Sequence, residues 1–263
     1  MKLGFIGVGN MSGAMIGGIL KSGLVRPEEI TGSNHTEESR KKTQETYGIE
    51  AVNDNRKVAE ADIVVLGVKP KYYEEVIAEI KDCVKPETII VTIAPGKTLE
   101  WLESRFDKDV KIVRTMPNTP ALVGEGMTAV CCNHLVSESE LQYVCGLLSS
   151  FGKVEIVEEH LMDVVVSVSG SSPAYVFMFI EAMADAAVAD GMPRKQAYKF
   201  AAQAVLGSAK MVLDTEKHPG ELKDMVCSPG GTTIEAVRVL EEKGLRSAVI
   251  EAMKACTKVS SKM

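Results

Sequence analysis

The sequence predicts an α/β protein: an N-terminal Rossmann-type parallel-sheet domain over residues 1–160, followed by an all-helical half over residues 161–263. Three observations carry this. A glycine-rich turn, Gly7-Val8-Gly9, follows a short apolar strand at the start of the chain. Apolar runs then recur with helical patterns between them, the order expected of a parallel sheet. From Leu161 onward no convincing strand can be found.

Leu3-Gly4-Phe5-Ile6 reads as a buried strand, and Gly7-Val8-Gly9-Asn10-Met11-Ser12-Gly13-Ala14 as the turn into a helix that reaches about Lys21 and closes at Gly23. This is close to the dinucleotide fingerprint G-x-G-x-x-G in its required strand–turn–helix setting. Gly7 is expected to make the turn, and Gly9 to let a pyrophosphate approach the helix N-terminus. Ser12 stands where the third glycine is usual, with Gly13 and Ala14 supplying the small residues needed for packing. Ile6, Asn10 and Met11 are expected at the cofactor beside them.

The second strand, Glu29 to Gly32, ends at Ser33-Asn34-His35-Thr36. An NAD site usually places Asp or Glu here to bind the ribose 2′-hydroxyl. Ser33 and Asn34, followed by Arg40, Lys41 and Lys42, tolerate a 2′-phosphate instead, so NADP(H) is the expected cofactor. The margin over NADH is modest, because Glu37 and Glu38 lie close by. Three further strands end in loops: Ile63-Val64-Val65-Leu66 at Gly67-Val68-Lys69-Pro70, Thr88 to Thr92 at Ile93-Ala94-Pro95-Gly96, and Lys111 to Arg114 at Met116-Pro117-Asn118-Thr119-Pro120. Ligands of open parallel sheets bind beyond such carboxyl ends. Lys69, in a turn fixed by Pro70, is placed to bind phosphate or ribose. A strand from Met127 to Cys132, a helix from about Ser137 to Ser149, and Lys153 to Ile156 complete the domain, with Glu158-Glu159-His160 as its boundary.

In the second half, Leu161 to Val168 reads as helix, interrupted by Ser169-Gly170-Ser171-Ser172-Pro173. Proline removes a backbone donor and predicts a kink or restart there. Ala174 to Ala189 is apolar almost all round: Phe177, Ile180, Ala184 and Ala187 share one face, while Met178, Met183 and Val188 occupy the others. Such a helix wants burial on every side, which implies a partner subunit. A helix from Lys195 to Leu213 follows Gly191-Met192-Pro193, and two more run from about Thr233 to Lys243 and from Leu245 to Lys258.

Before the last two lies Cys227-Ser228-Pro229-Gly230-Gly231-Thr232-Thr233-Ile234-Glu235, which reads as a small-anion cradle opening a helix. Thr232-x-x-Glu235 fits a capping box, with Thr232 as N-cap. Gly230 and Gly231 allow tight or left-handed turns, and free amides at a helix N-terminus suit a carboxylate or phosphate. Ser228, Thr232 and Thr233 add hydroxyls. An ordinary capped loop is the alternative that spacing alone leaves open.

Composition narrows the function. With 263 residues either one large domain or two modest ones can bury a core, and a net charge of −6 without a basic stripe argues against nucleic acid. Six cysteines and four histidines show no metal spacing, so no metal is expected and reduced thiols are. Met1-Lys2 leads straight into a strand and no apolar run reaches about 18 residues, so neither a signal peptide nor a membrane span is expected, and the cytoplasm follows by elimination.

Leu222-Lys223-Asp224 followed by Ser228-Pro229-Gly230-Gly231-Thr232-Thr233 resembles the signature of the pyrroline-5-carboxylate reductases. Ser169 to Tyr175 is similar to that family's second hallmark, with Ser172 where glycine is usual, and Val68-Lys69-Pro70 and Met116 to Pro120 match its cofactor loops. Met225 and Pro95 also depart from the common residues, yet the matches run from residue 4 to about 256. The resemblance implies reduction of 1-pyrroline-5-carboxylate to L-proline, with NADPH giving hydride to the C=N carbon and a homodimer or a larger assembly of dimers. It implies that Ser228, Gly230, Gly231 and Thr232 hold the substrate carboxylate and that Thr233, the catalytic candidate, meets the ring nitrogen. It places Glu159, Asp224 and, more weakly, Glu216 near the substrate, Asn55 near the adenosine ribose, and Val68, Lys69, Pro70, Ala94, Pro95 and Gly96 around the cofactor. A β-hydroxyacid dehydrogenase would share the first domain but needs a base, usually lysine, where this chain reads Ser169 to Tyr175. A non-catalytic nucleotide-sensing or scaffold protein is the other alternative, against which the intact anion loop argues.

Overall fold

A computed structural model describes residues 1–262. It divides into two compact units, Met1–Ser171 with the chain from Cys256 onward, and Ser172–Ala255.

The first unit is built on eight strands: β1 (Leu3–Ile6), β2 (Ile30–Ser33), β3 (Glu50–Val52), β4 (Ile63–Leu66), β5 (Ile89–Thr92), β6 (Lys111–Met116), β7 (Gly126–Cys132) and β8 (Gly152–Ile156). They form one sheet in the order β3-β2-β1-β4-β5-β6-β7-β8. All neighbours are parallel except β6 and β7, which run antiparallel with Thr115 opposite Val130. The expected Rossmann-type sheet is therefore present, extended by this reversed strand and by the three-residue β3 that the sequence reading missed.

Helices α1 (Asn10–Ser22), α2 (Glu37–Tyr47), α3 (Asn55–Ala59), α4 (Tyr73–Ile80), α5 (Leu99–Phe106) and α6 (Glu138–Leu148) cover the two faces. Strand residues alternate between them, as the pleat requires. Phe5, Ile63, Val65 and Val91 join α1 and α6 in one core cluster. Ile6, Val64, Leu66 and Ile90 join α3, α4 and α5 in the other.

The first unit runs past the Glu158-Glu159-His160 boundary read from the sequence, through α7 (Met162–Val165) and a π-helical turn at Val166–Gly170. The end of the last helix holds this stretch. Ser260 Oγ donates to Asp163 at 2.7 Å, Thr257 Oγ1 to Ser167 Oγ at 2.9 Å, and Cys256 Sγ to Ser171 Oγ at 3.3 Å. The expected kink or restart near Pro173 is a π-helical turn ending at Gly170 and a new helix starting at Ser172. Proline then falls in the first turn of α8 (Ser172–Ala189), where its missing N–H has no intrahelical partner to lose.

The second unit contains α8, α9 (Arg194–Thr215), α10 (Pro219–Val226), α11 (Thr232–Glu242) and most of α12 (Leu245–Ser260). α8 and α9 meet through small residues, with Ala184, Ala197 and Ala201 all buried. Phe177 (64% exposed), Met178 (69%) and Phe200 (67%) lie bare. The helical stretch Glu159–Ala189 is long and apolar enough to cross a membrane by length and composition, although no uninterrupted apolar run reaches 18 residues, and 6% of its apolar window is buried. The reason is that serine, glycine and a few charges interrupt an apolar run without lowering its mean hydropathy enough.

Candidate functional site

The β1–α1 turn meets the geometric demands of a pyrophosphate cradle. Gly7 has φ +88°, and a Cβ there would sit 2.7 Å from Val68 Cγ1. The Gly7 and Val8 amides both donate to Ser33 O, at 3.1 and 3.2 Å, tying the turn to the end of β2. Gly9 has open space around its Cβ position, so a ligand can approach its backbone. α1 starts at Asn10 with no side-chain cap and no acid in its first turn, leaving its end-on amides and dipole unopposed. Buried Ser12 takes the place of the third glycine by donating to Gly7 O at 2.8 Å. Gly13 is small because a Cβ there would strike Tyr47 Oη at 2.4 Å.

Above the turn lies a cleft of about 440 Å³ where the chain crosses from β1 to both β2 and β4. Its wall includes seven of the expected cofactor residues, Gly7, Gly9, Ser33, Asn34, Asn55, Val68 and Lys69. The other seven are not part of that wall. Ile6 is core at the end of β1, Asn10 and Met11 open α1, Pro70 starts a single turn to Tyr72, and Ala94, Pro95 and Gly96 (φ +73°) follow β5. The glycine turn, the uncapped helix and the polar far wall fit a dinucleotide.

At the far wall, Ser33 Oγ donates to Asn55 Oδ1 at 2.7 Å, and Asn55 Nδ2 to Glu79 Oε2 at 2.7 Å. Asn34 acts as a staple: Nδ2 donates to Val8 O at 3.0 Å and Oδ1 accepts from Thr43 at 3.0 Å. Arg40 does not stand free, since its Nη1 donates to Asn34 O and His35 O, each at 3.1 Å. Sequence reasoning missed Glu79, Glu75, Tyr72, His35, Thr36 and Ser39 as cleft residues. No motif marks them; Tyr72, Glu75 and Glu79 are spaced along one helical face that runs from the turn before α4 to near its end.

The ends of β4, β5 and β6 are locked from beneath by a buried hydroxyl chain. Tyr73 Oη donates to Leu66 O at 2.6 Å and accepts from Thr92 Oγ1 at 2.9 Å, while Thr115 Oγ1 donates to Thr92 O at 2.8 Å. Burial pushes the Tyr73 phenol up to about 12, so it stays a donor. Nearby, Asn118 joins two segments, accepting from the Met127 amide at 2.8 Å and donating to Ser169 O at 3.0 Å. Glu159 has an internal partner set: Oε1 receives Arg114 Nη1 at 2.8 Å and the Leu99 amide at 2.7 Å, with Arg114 only 3% exposed.

In the helical unit, the loop before α11 differs from the expected capping box. The N-cap is Gly231, not Thr232, and it makes no side-chain hydrogen bond. Glu235 is drawn instead to Arg238, whose Nη2 lies 2.7 Å from Oε1. A guanidinium one turn ahead is a stronger partner for a carboxylate than a backbone amide behind it. The consequence favours ligand binding, because the first-turn amides of Thr232 and Thr233 remain uncapped. Gly230 takes φ +68°, the Gly231 amide closes a turn onto Ser228 O at 3.1 Å, and a Cβ on Gly231 would meet Ser228 Oγ at 2.3 Å. Asp224 pairs with neighbouring Lys223 at 2.6 Å, and Glu216 caps α9 in the left-handed region with φ +54°. Among the described residues no group of three or more His, Cys, Asp or Glu is placed to hold a metal.

A family model described as pyrroline-5-carboxylate reductase dimerisation matches residues 159–263, and one described as NADP oxidoreductase coenzyme F420-dependent matches residues 2–96. The chain is 54% identical over 263 residues to a pyrroline-5-carboxylate reductase of Escherichia coli, covering 100% of this chain and 98% of that protein. It is 42% identical to one from Methanosarcina acetivorans, covering 96% and 94%. Among solved structures, it superposes on Plasmodium falciparum pyrroline carboxylate reductase with NADP bound at a TM-score of 0.91 and 31% identity, covering 100% of this chain and 97% of that one.

Proposed function

This chain belongs to the pyrroline-5-carboxylate reductase family, and we propose that it reduces 1-pyrroline-5-carboxylate to L-proline, the last step of proline biosynthesis, with NADPH preferred over NADH. The observation that carries this reading is the uncapped α11 N-terminus behind Gly230-Gly231, on a chain that also holds a dinucleotide cradle.

In the first unit, Gly7, Gly9 and the amides of Asn10 and Met11 hold the pyrophosphate, with Ile6 beneath them. Ser33, Asn34 and Asn55 order the adenosine ribose. Val68, Lys69, Pro70, Ala94, Pro95 and Gly96 shape the nicotinamide end, on strand tips fixed by the Tyr73 chain. The bound cofactor supplies the hydride that adds to the C=N carbon.

In the second unit, the first-turn amides of α11 and the Ser228 and Thr232 hydroxyls bind the substrate carboxylate, with Gly230 and Gly231 keeping side chains out of its way. Thr233 presents its hydroxyl to the ring nitrogen. A cyclic imine is basic enough to arrive partly protonated, so orientation and desolvation do most of the work and no strong acid is needed. Asp224 and Glu216 in this unit, and Glu159 in the first, are the carboxylates proposed at the substrate. Glu159 brings one already oriented by Arg114 and the Leu99 amide.

Two copies pair through the bare faces of α8 and its neighbours, which explains a membrane-length apolar stretch in a chain whose helical half matches a dimerisation family. The six cysteines are all thiols, which suits the reducing cytoplasm. Thr233→Ala tests the catalytic assignment. It should lower kcat/KM by one to two orders of magnitude, as loss of one oriented hydrogen bond of about 1.4–2.7 kcal/mol would. An unchanged kcat/KM removes Thr233 from the mechanism.

A further inference from the structure

At the far wall of the nucleotide cleft, three side chains from three elements form one directed chain of hydrogen bonds. Ser33 ends β2, Asn55 opens α3 and Glu79 lies on α4, with both links at 2.7 Å. All three line the cleft. Chemistry alone sets the direction of this chain. An ionised carboxylate only accepts, so Asn55 must turn its Nδ2 to Glu79. Its Oδ1 then faces Ser33, which has one proton to give and gives it there. What this corner still offers a ligand is a lone pair on Ser33 Oγ and the second proton on Asn55 Nδ2.

We propose that Glu79 is a positioning residue that sets nucleotide specificity: acting through Asn55, it holds Ser33 as an acceptor, so this corner reads an uncharged ribose hydroxyl and rejects a 2′-phosphate. The inference rests on reading the cleft as the dinucleotide site. A hydroxyl satisfies both groups at once, donating to Ser33 Oγ and accepting from Asn55 Nδ2. A phosphate has no proton for Ser33 at neutral pH and faces the negative charge of Glu79. The 2′-phosphate of NADPH is left to His35, Thr36 and Ser39, which also line the cleft where β2 leads into α2. Cofactor choice is then a balance between these two groups of residues, with Glu79 on the NADH side of it.

The test compares the purified full-length protein with Glu79→Gln. An amide at 79 both donates and accepts, so Asn55 is free to turn over. Calorimetry without substrate gives Kd for NADH and NADPH, and steady-state rates give KM and kcat for each. The expected result is a five- to tenfold weaker Kd and KM for NADH, about the worth of one hydrogen bond. NADPH should change by less than about twofold, and the NADH loss should fall on KM rather than kcat. Asn55→Ala removes a ribose contact and should weaken both cofactors, NADH more than NADPH, with Glu79→Gln adding no more than about twofold to its NADH loss. Equal losses for both cofactors would show a merely structural role and overturn the proposal. So would no change in either, or a loss confined to NADPH. If Glu79→Gln does not fold, Ser33→Ala, which deletes the acceptor, must weaken NADH by at least about fivefold more than it weakens NADPH. Wild-type protein that binds neither cofactor refutes the dinucleotide reading itself, an outcome distinct from binding both without the Glu79 effect.

Discussion

Replacing Gly67, which lines the cleft, by alanine should cost this protein both stability and cofactor affinity. A Cβ at Gly67 would lie 2.4 Å from Gly7 O and 2.0 Å from Ser12 Oγ. The Ser12 hydroxyl can swing away, at the expense of its 2.8 Å bond to Gly7 O. The carbonyl of Gly7 cannot, because it belongs to the turn that cradles the pyrophosphate. Opening that contact from 2.4 Å to the 3.0 Å floor parts the strand ends by about 0.6 Å. The bond from the Gly67 amide to Ile6 O, now 2.8 Å, would then stretch to about 3.4 Å. Overpacking of this kind costs about 1–3 kcal/mol and the weakened bond about 1 kcal/mol more. Urea unfolding should show a loss of about 2–4 kcal/mol, and calorimetry at least a tenfold rise in NADPH Kd. Ser12→Gly added to Gly67→Ala should not restore either, since the Gly7 carbonyl contact persists. A Gly67→Ala protein with wild-type stability and NADPH affinity would refute the close-approach argument for this turn.

Three further outcomes can be checked. Tyr73→Phe strips the donor from Leu66 O and the acceptor from Thr92 in a dry core, so it should destabilise by about 1–3 kcal/mol in urea; a loss within error would show that the chain is not holding the strand tips. Glu140 is held below the usual carboxylate range, first by the 2.5 Å bond from Lys111 and then by its capping bonds to Ser137. Its folded pKa is depressed, so its contribution is present above the unfolded value of 4.5 and lost as pH falls through the folded one. Glu140→Gln should therefore lower the urea midpoint at neutral pH, with the gap to wild type closing in acid; a gap independent of pH contradicts this. Phe177→Asp places a charge on the bare face of α8, and sedimentation should show the oligomer shifting to monomer; an unaltered oligomer would place the interface elsewhere.

The elements that the sequence disclosed are those governed by local forces. Buried strands such as Ile63–Leu66 are continuous apolar runs, and the Gly7-Val8-Gly9 turn has a steric signature that few other residues could satisfy. β3 was missed because three residues, none of them buried, carry no periodicity. The reversal at β7 is a matter of register with β6, which no local pattern encodes. The capping box failed through competition: Thr232-x-x-Glu235 has the right spacing, but Arg238 lies within reach of the same carboxylate. Ser33 and Asn55 were expected at the cofactor, the one from its place after β2 and the other from the family resemblance, and both line the cleft. Glu79, 24 residues beyond Asn55, became visible only once folding brought its carboxylate to that amide. An apolar helix with an uncovered face has the same statistics as a membrane span, so length and composition alone do not tell the two apart at Glu159–Ala189.

The central claim is tested most directly by following NADPH absorbance on addition of 1-pyrroline-5-carboxylate, with NADH in a parallel cell and proline measured at the end. The account predicts rapid decay with stoichiometric proline, faster with NADPH than with NADH at equal low concentration. A protein that binds NADPH by calorimetry yet oxidises neither cofactor on addition of this substrate would contradict it.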